Sequence, residues 1–247
     1  MALPVATAYG FALLLFRVAA LCMTAPILGA RVVPARIRLG IAMAVSFAVF
    51  TGAGSPAVTP PAGLGGLAAA AASETLCGLL AGLAARFTLD AALGAGHLAG
   101  LSAGLGFSAL VDPSTGAEST AVSQTLFTTA QGMAVALGIH REAIAWLARS
   151  VTTYPLGAPI DLAALSIRTI GLSAVSIALA VRLAFPVVGA VLLGHALMAT
   201  LGRMAPQLSL SNVGFSVAIL MGGLALYLSA PAVAELAARA AVTAFST

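Results

Sequence analysis

The chain has 247 residues, of which 61% are hydrophobic and only 7% are charged, and its net charge is +4. In ordinary soluble domains about a quarter of the residues are charged. A water-soluble fold of this composition would have too few polar residues to form its surface. The eleven basic residues are all Arg and form neither a polybasic tract nor a basic face interleaved with aromatics, which argues against nucleic acid as a partner.

The hydrophobic residues are grouped in long runs separated by short polar stretches. A run of about 18 or more apolar residues can cross the hydrocarbon core of a bilayer as a helix. We therefore expect an all-α, polytopic membrane protein with six or seven passes and one membrane-embedded domain over residues 1–247. Pro186 is expected to break the sixth run near its middle. The runs lie at about residues 5–28, 39–50, 63–85, 89–111, 121–139, 169–201 and 213–234.

Small residues and arginines give two further indications about the membrane arrangement. Glycines recur within the apolar runs, Gly78 and Gly82 among them, and small residues let membrane helices approach closely. Arg31, Arg36 and Arg38 occupy the short loop between the first two runs. The positive-inside tendency predicts that this loop is cytoplasmic.

The sequence contains no pattern typical of a catalytic, metal or cofactor site. His97, His140 and His195 are far apart in sequence, and Cys22 and Cys77 lie inside apolar runs without metal-ligand spacing. HExxH and GxSxG motifs are missing, and the complete lack of Lys excludes a P-loop. We expect no cofactor, no metal and no enzymatic activity.

Four ionisable residues fall inside apolar runs, where charge is costly and is by default a functional candidate: Arg17, Glu74, Asp90 and Arg182. Arg17 and Glu74 could pair across helices, or each could meet polar groups of a partner subunit. A transporter would instead gather acidic or histidine side chains near the midplane, and these four residues are scattered.

Five motifs follow one another along the chain, from FRVAALCMTAP beginning at residue 16 to GRMAPQLSLSNVGFSV at residues 202–217. In this order they resemble the FliR family of flagellar and type III secretion export-gate proteins. The match departs from the family pattern at Ser102 and Ala103, where the family usually has Gln-Met, at residues 138–140 and at Ser216. The sequences VDPSTG and RMAPQLS resemble the flagellar branch of the family more closely than the injectisome branch. The motifs lie at residues 16–46, 74–87 with 104–116, 154–159, 183–193 and 202–217, the last being the most specific.

The resemblance implies a non-enzymatic subunit of a hetero-oligomeric export gate, built of helical hairpins in the bacterial inner membrane at the flagellar basal body. Its implied partners are FliP-like and FliQ-like subunits, FlhB-like and FlhA-like export proteins, unfolded exported protein chains and membrane lipid. The alternatives are a subunit of an injectisome export gate and, from a different class, a small-molecule or ion transporter.

The resemblance also implies two groups of site residues. Phe107 and Leu110 are expected to form an apolar channel constriction, followed by a turn at Asp112 and Pro113. A second group is expected to hold loops and turns during assembly. Its members are Arg17, Arg31, Pro34, Arg36, Arg38, Glu74, Pro155, Gly157, Pro186, Arg203, Pro206 and Gln207.

Overall fold

The computed structural model describes residues 2–29, 33–104, 121–204 and 210–246. Within these ranges the chain forms seven helices and no strand. The all-α prediction is therefore confirmed. The helices are α1 (Ala2–Thr24), α2 (Ala35–Gly52), α3 (Leu64–Ser102), α4 (Ala121–Ala136), α5 (Ile139–Thr153), α6 (Leu162–Met204) and α7 (Leu210–Ser246).

Five of the helices in the described ranges are long and apolar enough to cross a membrane. The qualifying segments are Val5–Thr24, Ala35–Gly52, Leu64–Ser102, Leu162–Met204 and Ser216–Phe245. A stretch of about 17–25 residues suffices for one crossing, so α3 and α6 exceed that length considerably. The chain is a polytopic helical membrane protein.

The helices differ from the predicted apolar runs at several boundaries. Helices α6 and α7 are longer than their runs. The run at 63–85 and the first part of the run at 89–111, to Ser102, join in one helix, α3, because Arg86 interrupts the apolar pattern but carries an exposed side chain and favours helix. Helix α5 was not expected as an apolar run, since it is the most amphipathic of the described helices. The run at 121–139 contains α4, which ends at Ala136.

Pro186 lies inside α6 and does not break it, which corrects the prediction from the sequence. Proline removes one backbone N–H donor and so costs one helical hydrogen bond. Membrane helices tolerate such a loss when neighbouring groups and small local adjustments satisfy the carbonyl that is released. The Pro186 side chain is exposed on α6.

The contacts divide the chain into two compact units, which are described separately. Unit 1 contains Met1–Thr88, Val135–Ser173 and Ala240–Thr247, and unit 2 contains Leu89–Ala134 and Ala174–Arg239. The prediction of a single domain over residues 1–247 stays a prediction.

In unit 1, helix α1 packs closely against α2 and α3. Phe11 and Phe50 form an edge-to-face aromatic pair between α1 and α2, with ring centroids 5.6 Å apart. On the α3 side, a Cβ atom at Gly78 would overlap the backbone oxygen of Arg17, and one at Gly82 would overlap the Thr24 hydroxyl. The Thr24 hydroxyl also donates to the Leu79 carbonyl at 3.2 Å. The two glycines therefore allow α1 and α3 to meet backbone to backbone.

Unit 2 is also packed around small residues. A Cβ atom at Gly96 would lie 2.5 Å from the Ser123 Cα atom, so α3 and α4 approach closely there. Ala103, directly after α3, forms a buried cluster with Val191 of α6 and Ala218 of α7. These contacts bear out the expected use of small residues in helix packing.

Candidate functional site

A buried ion pair joins Arg17 of α1 to Glu74 of α3 in unit 1. The Arg17 Nε donates to Glu74 Oε2 at 2.6 Å, and Nη2 lies 2.6 Å from the same oxygen. Both side chains are 0% exposed. Gly78 lies one helical turn beyond Glu74, so the close approach of α1 and α3 at that glycine places the two charges side by side.

The remaining Arg17 donors bind the C-terminal end of α5. Nη1 donates to the Ser150 carbonyl at 2.9 Å and to the Ser150 hydroxyl at 3.0 Å, and Nη2 donates to the Tyr154 carbonyl at 2.9 Å. Carbonyls in the last turn of a helix lack helical partners and carry partial negative charge. The guanidinium is therefore balanced by the Glu74 carboxylate and by the negative end of α5.

The second Glu74 oxygen binds the turn that follows α5. Glu74 Oε1 accepts a hydrogen bond from the Gly157 N–H at 3.1 Å. Gly157 has φ +74°, a left-handed conformation that favours glycine, and a Cβ atom there would lie 2.9 Å from Val58 Cγ1. The turn is closed by the Ala158 N–H donating to the Pro155 carbonyl at 3.1 Å. The predicted glycine turn thus positions a donor for the buried carboxylate.

The network engages all three guanidinium nitrogens and both carboxylate oxygens. A buried ion pair is tolerated only when its geometry is good and its other donors and acceptors are satisfied. Here the pair connects α1, α3, the end of α5 and the turn at Gly157. Such an arrangement suits a structural role in holding these segments together rather than the binding of a ligand.

The first predicted loop is described from Val33 onwards. Pro34 precedes α2, and its carbonyl accepts hydrogen bonds from the Ile37 and Arg38 N–H groups at 3.1 Å. The Arg38 guanidinium donates to the Val33 carbonyl at 3.2 Å. Arg36 is exposed. The bond from Arg38 to Val33 therefore stays within the loop itself.

The other predicted residues belong to unit 2 or lie outside the described ranges. Arg203 is exposed in the last turn of α6, where a cation is favourable for the helix dipole. The assembly role of every residue in that group stays a prediction. Outside the described residues lie Arg31, Phe107, Leu110, Asp112, Pro113, Pro206 and Gln207.

Two residues of the network, Ser150 and Tyr154, were not singled out from the sequence. They are 133 and 137 positions from Arg17. Tyr154 contributes only a backbone carbonyl, and a backbone acceptor has no signature in residue type. The position of Ser150 in the last turn of an amphipathic helix could have indicated it, but that helix was not expected.

The chain matches a known protein family over most of its length. The model of a family described as bacterial export proteins, family 1, matches residues 8–243. The chain belongs to this family. The Arg17–Glu74 pair, α5 and the Gly157 turn all fall within the matched residues.

Within family 1 of the bacterial export proteins, the chain is similar over most of its length to proteins named flagellar biosynthetic protein FliR. The protein from Caulobacter vibrioides is 31% identical over 217 residues, which cover 87% of this chain and 85% of the relative. The protein from Escherichia coli is 30% identical over 84% of this chain and 79% of the relative. The protein from Aquifex aeolicus is 30% identical over 87% and 83%.

Proposed function

We propose that this chain is a subunit of the flagellar type III protein export gate in the bacterial inner membrane, at the flagellar basal body. With FliP-like and FliQ-like subunits, and beside FlhB-like and FlhA-like proteins, it forms the entry channel for unfolded exported chains and catalyses no reaction. The observation that carries this proposal is the similarity to proteins named FliR over most of both chains.

The length of α6 supports a place for this chain among partner subunits. Its 43 residues extend for about 65 Å at 1.5 Å per residue. The hydrocarbon core is about 30 Å thick, and membrane helices tilt by up to about 40°, which would still leave α6 too long for one crossing. Part of this helix must therefore lie outside the hydrocarbon.

The arginines of α6 indicate which part crosses. Arg182 and Arg203 are 21 positions apart, about 32 Å along a helix, so the 20 residues between them match the hydrocarbon thickness. Only 13 residues separate Arg168 from Arg182, too few to cross. We assign residues 183–202 to the hydrocarbon and place the first half of α6 beyond it.

The first half of α6 nevertheless presents large apolar side chains. Ile167 is 70% exposed and Ile170 is 66% exposed. Outside the lipid, large apolar side chains exposed on one helix are typical of a protein interface. Partner subunits that cover this face would account for it, as the export-gate proposal requires.

The channel itself is assigned to residues outside the described ranges. Phe107 and Leu110 are proposed as constriction residues, followed by the Asp112–Pro113 turn. An apolar constriction closes a pore by excluding water and yields to a passing chain. The direct test is Phe107→Ala in the purified assembly with partner subunits. We expect this variant to increase ion leakage through the channel.

The first experiment is co-expression of this chain with the FliP-like and FliQ-like proteins of the same organism. The assembly is purified through a tag on this chain, and its native mass is measured. A stable hetero-oligomer that contains this chain is expected. A chain that purifies alone, and that moves a small solute or ion in liposomes, would overturn the proposal in favour of the transporter alternative.

A further inference from the structure

An apolar cavity of about 320 Å³ lies within unit 1, bordered by α1, α2, α5 and the last turn of α7. Its floor is deeply buried: Cys22, Leu147 and Phe245 are each 2% exposed. Its mouth is open, since the lining residues Val135 and Ile144 are more than two-fifths exposed. The cavity therefore connects the surface of the unit with a buried thiol.

The size and lining of the cavity fit a flexible apolar ligand. The volume falls within the range of about 300–1,000 Å³ for small-ligand sites, and the walls are almost entirely hydrocarbon. A helix with its side chains is about 10–12 Å across and could insert only single side chains. An acyl chain is narrower and is already abundant around a membrane protein.

Basic residues lie next to lining residues of this cavity on two of its helices, α2 and α5. His140 lines it, and Arg141 follows with an exposed side chain. On α2, Arg38 precedes the lining residues Ile41 and Val45 by about one and two turns on the same face. Glu142, two positions from His140, points to a different side of α5.

From this juxtaposition we infer that the cavity is a binding site for one acyl chain of an anionic phospholipid. The chain occupies the apolar cavity down to Cys22, and the phosphate lies at the edge formed by Arg38, His140 and Arg141. Basic pockets beside membrane helices bind anionic headgroups in this way. Burial of each methylene is favourable, so the acyl chain supplies affinity and the arginines supply the preference for negative charge.

The test uses the two native cysteines of the full-length chain. The protein is placed in nanodiscs of phosphatidylcholine, with or without added phosphatidylglycerol, and its alkylation by N-ethylmaleimide is followed by mass spectrometry. We expect phosphatidylglycerol to slow the labelling of Cys22 and to leave Cys77 unchanged. Cys77 is 0% exposed and does not line the cavity, so it is the internal control.

Variants test the same site by lipid retention, measured as the phosphatidylglycerol that remains bound in native mass spectra. Ala143→Phe fills the cavity and is expected to abolish retention, whereas Ala148→Phe, at an exposed position of α5 outside the cavity, is expected to preserve it. Arg38→Gln should lower retention about fivefold, because an arginine near an anionic lipid contributes about 1 kcal/mol.

Two results would overturn the inference. One is equal labelling of Cys22 in both nanodiscs together with equal lipid retention by Ala143→Phe and Ala148→Phe. The other is protection of Cys22 only when partner subunits are present and regardless of lipid, which would show that a protein side chain occupies the cavity.

Discussion

Arg17 illustrates how a membrane helix can carry a buried charge. Its guanidinium has acceptors from two segments: Glu74 in α3, and Ser150 and Tyr154 at the C-terminal end of α5. Removing one member of such a pair leaves the other charge buried and uncompensated, which typically costs about 3–5 kcal/mol. The pair is therefore better regarded as a constraint on which segments meet than as a net source of stability.

This constraint predicts a large effect of Glu74→Gln. The substitution keeps the shape of the side chain but leaves the Arg17 charge without its counter-ion, so we expect a loss of about 3–5 kcal/mol in the free energy of unfolding. The measurement is unfolding of the purified chain in mixed detergent micelles.

Glu235→Gln is the matched control for that prediction. Glu235 pairs with Arg239 at 2.5 Å, but these side chains are 45% and 65% exposed. An exposed i,i+4 pair contributes about 0.3–0.5 kcal/mol, so this variant should unfold almost like the original chain. Equal effects of the two substitutions would mean that the Arg17–Glu74 pair does not tie unit 1 together.

The ion pair was partly predictable from the sequence. Arg17 and Glu74 stood out because charges inside apolar runs require a partner, and pairing with each other was one of two alternatives. Their neighbours at Ser150 and Tyr154 could not be inferred, since they depend on where α5 ends. The roles of Phe107 and Leu110 stay predictions.

At the level of helices, the contact between α1 and α3 depends on the four-residue spacing of Gly78 and Gly82. This spacing places both glycines on one face of α3, where a Cβ atom at either position would overlap α1. In membranes this small-xxx-small arrangement replaces the hydrophobic driving force with close van der Waals contact. The same contact positions Glu74 beside Arg17.

Gly78→Ala is expected to separate α1 from α3 and to destabilise the chain, because the new methyl group meets the Arg17 backbone rather than a flexible side chain. The loss should be about 1–3 kcal/mol, typical of overpacking. Gly40→Ala in α2 is the control, as nothing lies within 4 Å of its Cβ position. It should be neutral or stabilising by up to about 1 kcal/mol through helix propensity. Thermal unfolding in detergent compares the two, and equal midpoints would contradict the packing argument.

The helices were predictable where the apolar pattern and the backbone hydrogen bonds agree. The apolar pattern and the backbone hydrogen bonds disagree at two residues. At Arg86 a charge ends the apolar run but not α3, and at Pro186 the missing backbone N–H does not end α6. Helix α5 was not predicted, because the residues of its polar face interrupt the apolar pattern that identifies a membrane helix. Hydropathy reports the surroundings of a segment, whereas the helix itself is set by local backbone bonding.

At the scale of the whole molecule, several helices are longer than the hydrocarbon core of the bilayer is thick. Besides α6, helix α3 has 39 residues and α7 has 37, each longer than one crossing requires. Apolar side chains that are exposed beyond the hydrocarbon need a protein partner. With residues 183–202 assigned to the hydrocarbon, the exposed residues of α6 fall into two classes. We expect lipid to cover those within 183–202 and a protein partner to cover those in the first half of the helix.

Paired substitutions test that division. Ile167→Ser with Ile170→Ser should markedly reduce the yield of hetero-oligomer with FliP-like and FliQ-like subunits, because these positions are assigned to a protein interface. Leu192→Ser with Leu193→Ser, which are similarly exposed within residues 183–202, should leave the yield nearly unchanged. Native mass and co-purification yield are the measurements. The reverse pattern would show that the lipid-facing half of α6 has been assigned incorrectly.

The distribution of the Arg17 partners along the chain has a consequence for biosynthesis. Glu74 follows Arg17 by 57 positions and Ser150 follows it by 133. At about 5–20 residues per second, the ribosome takes about 3–11 s to reach Glu74 and about 7–27 s to reach Ser150. Until then the guanidinium has neither its counter-ion nor the end of α5. The first helix therefore carries an uncompensated charge until α3 and α5 have been synthesised, and we expect it to settle in the lipid only together with them.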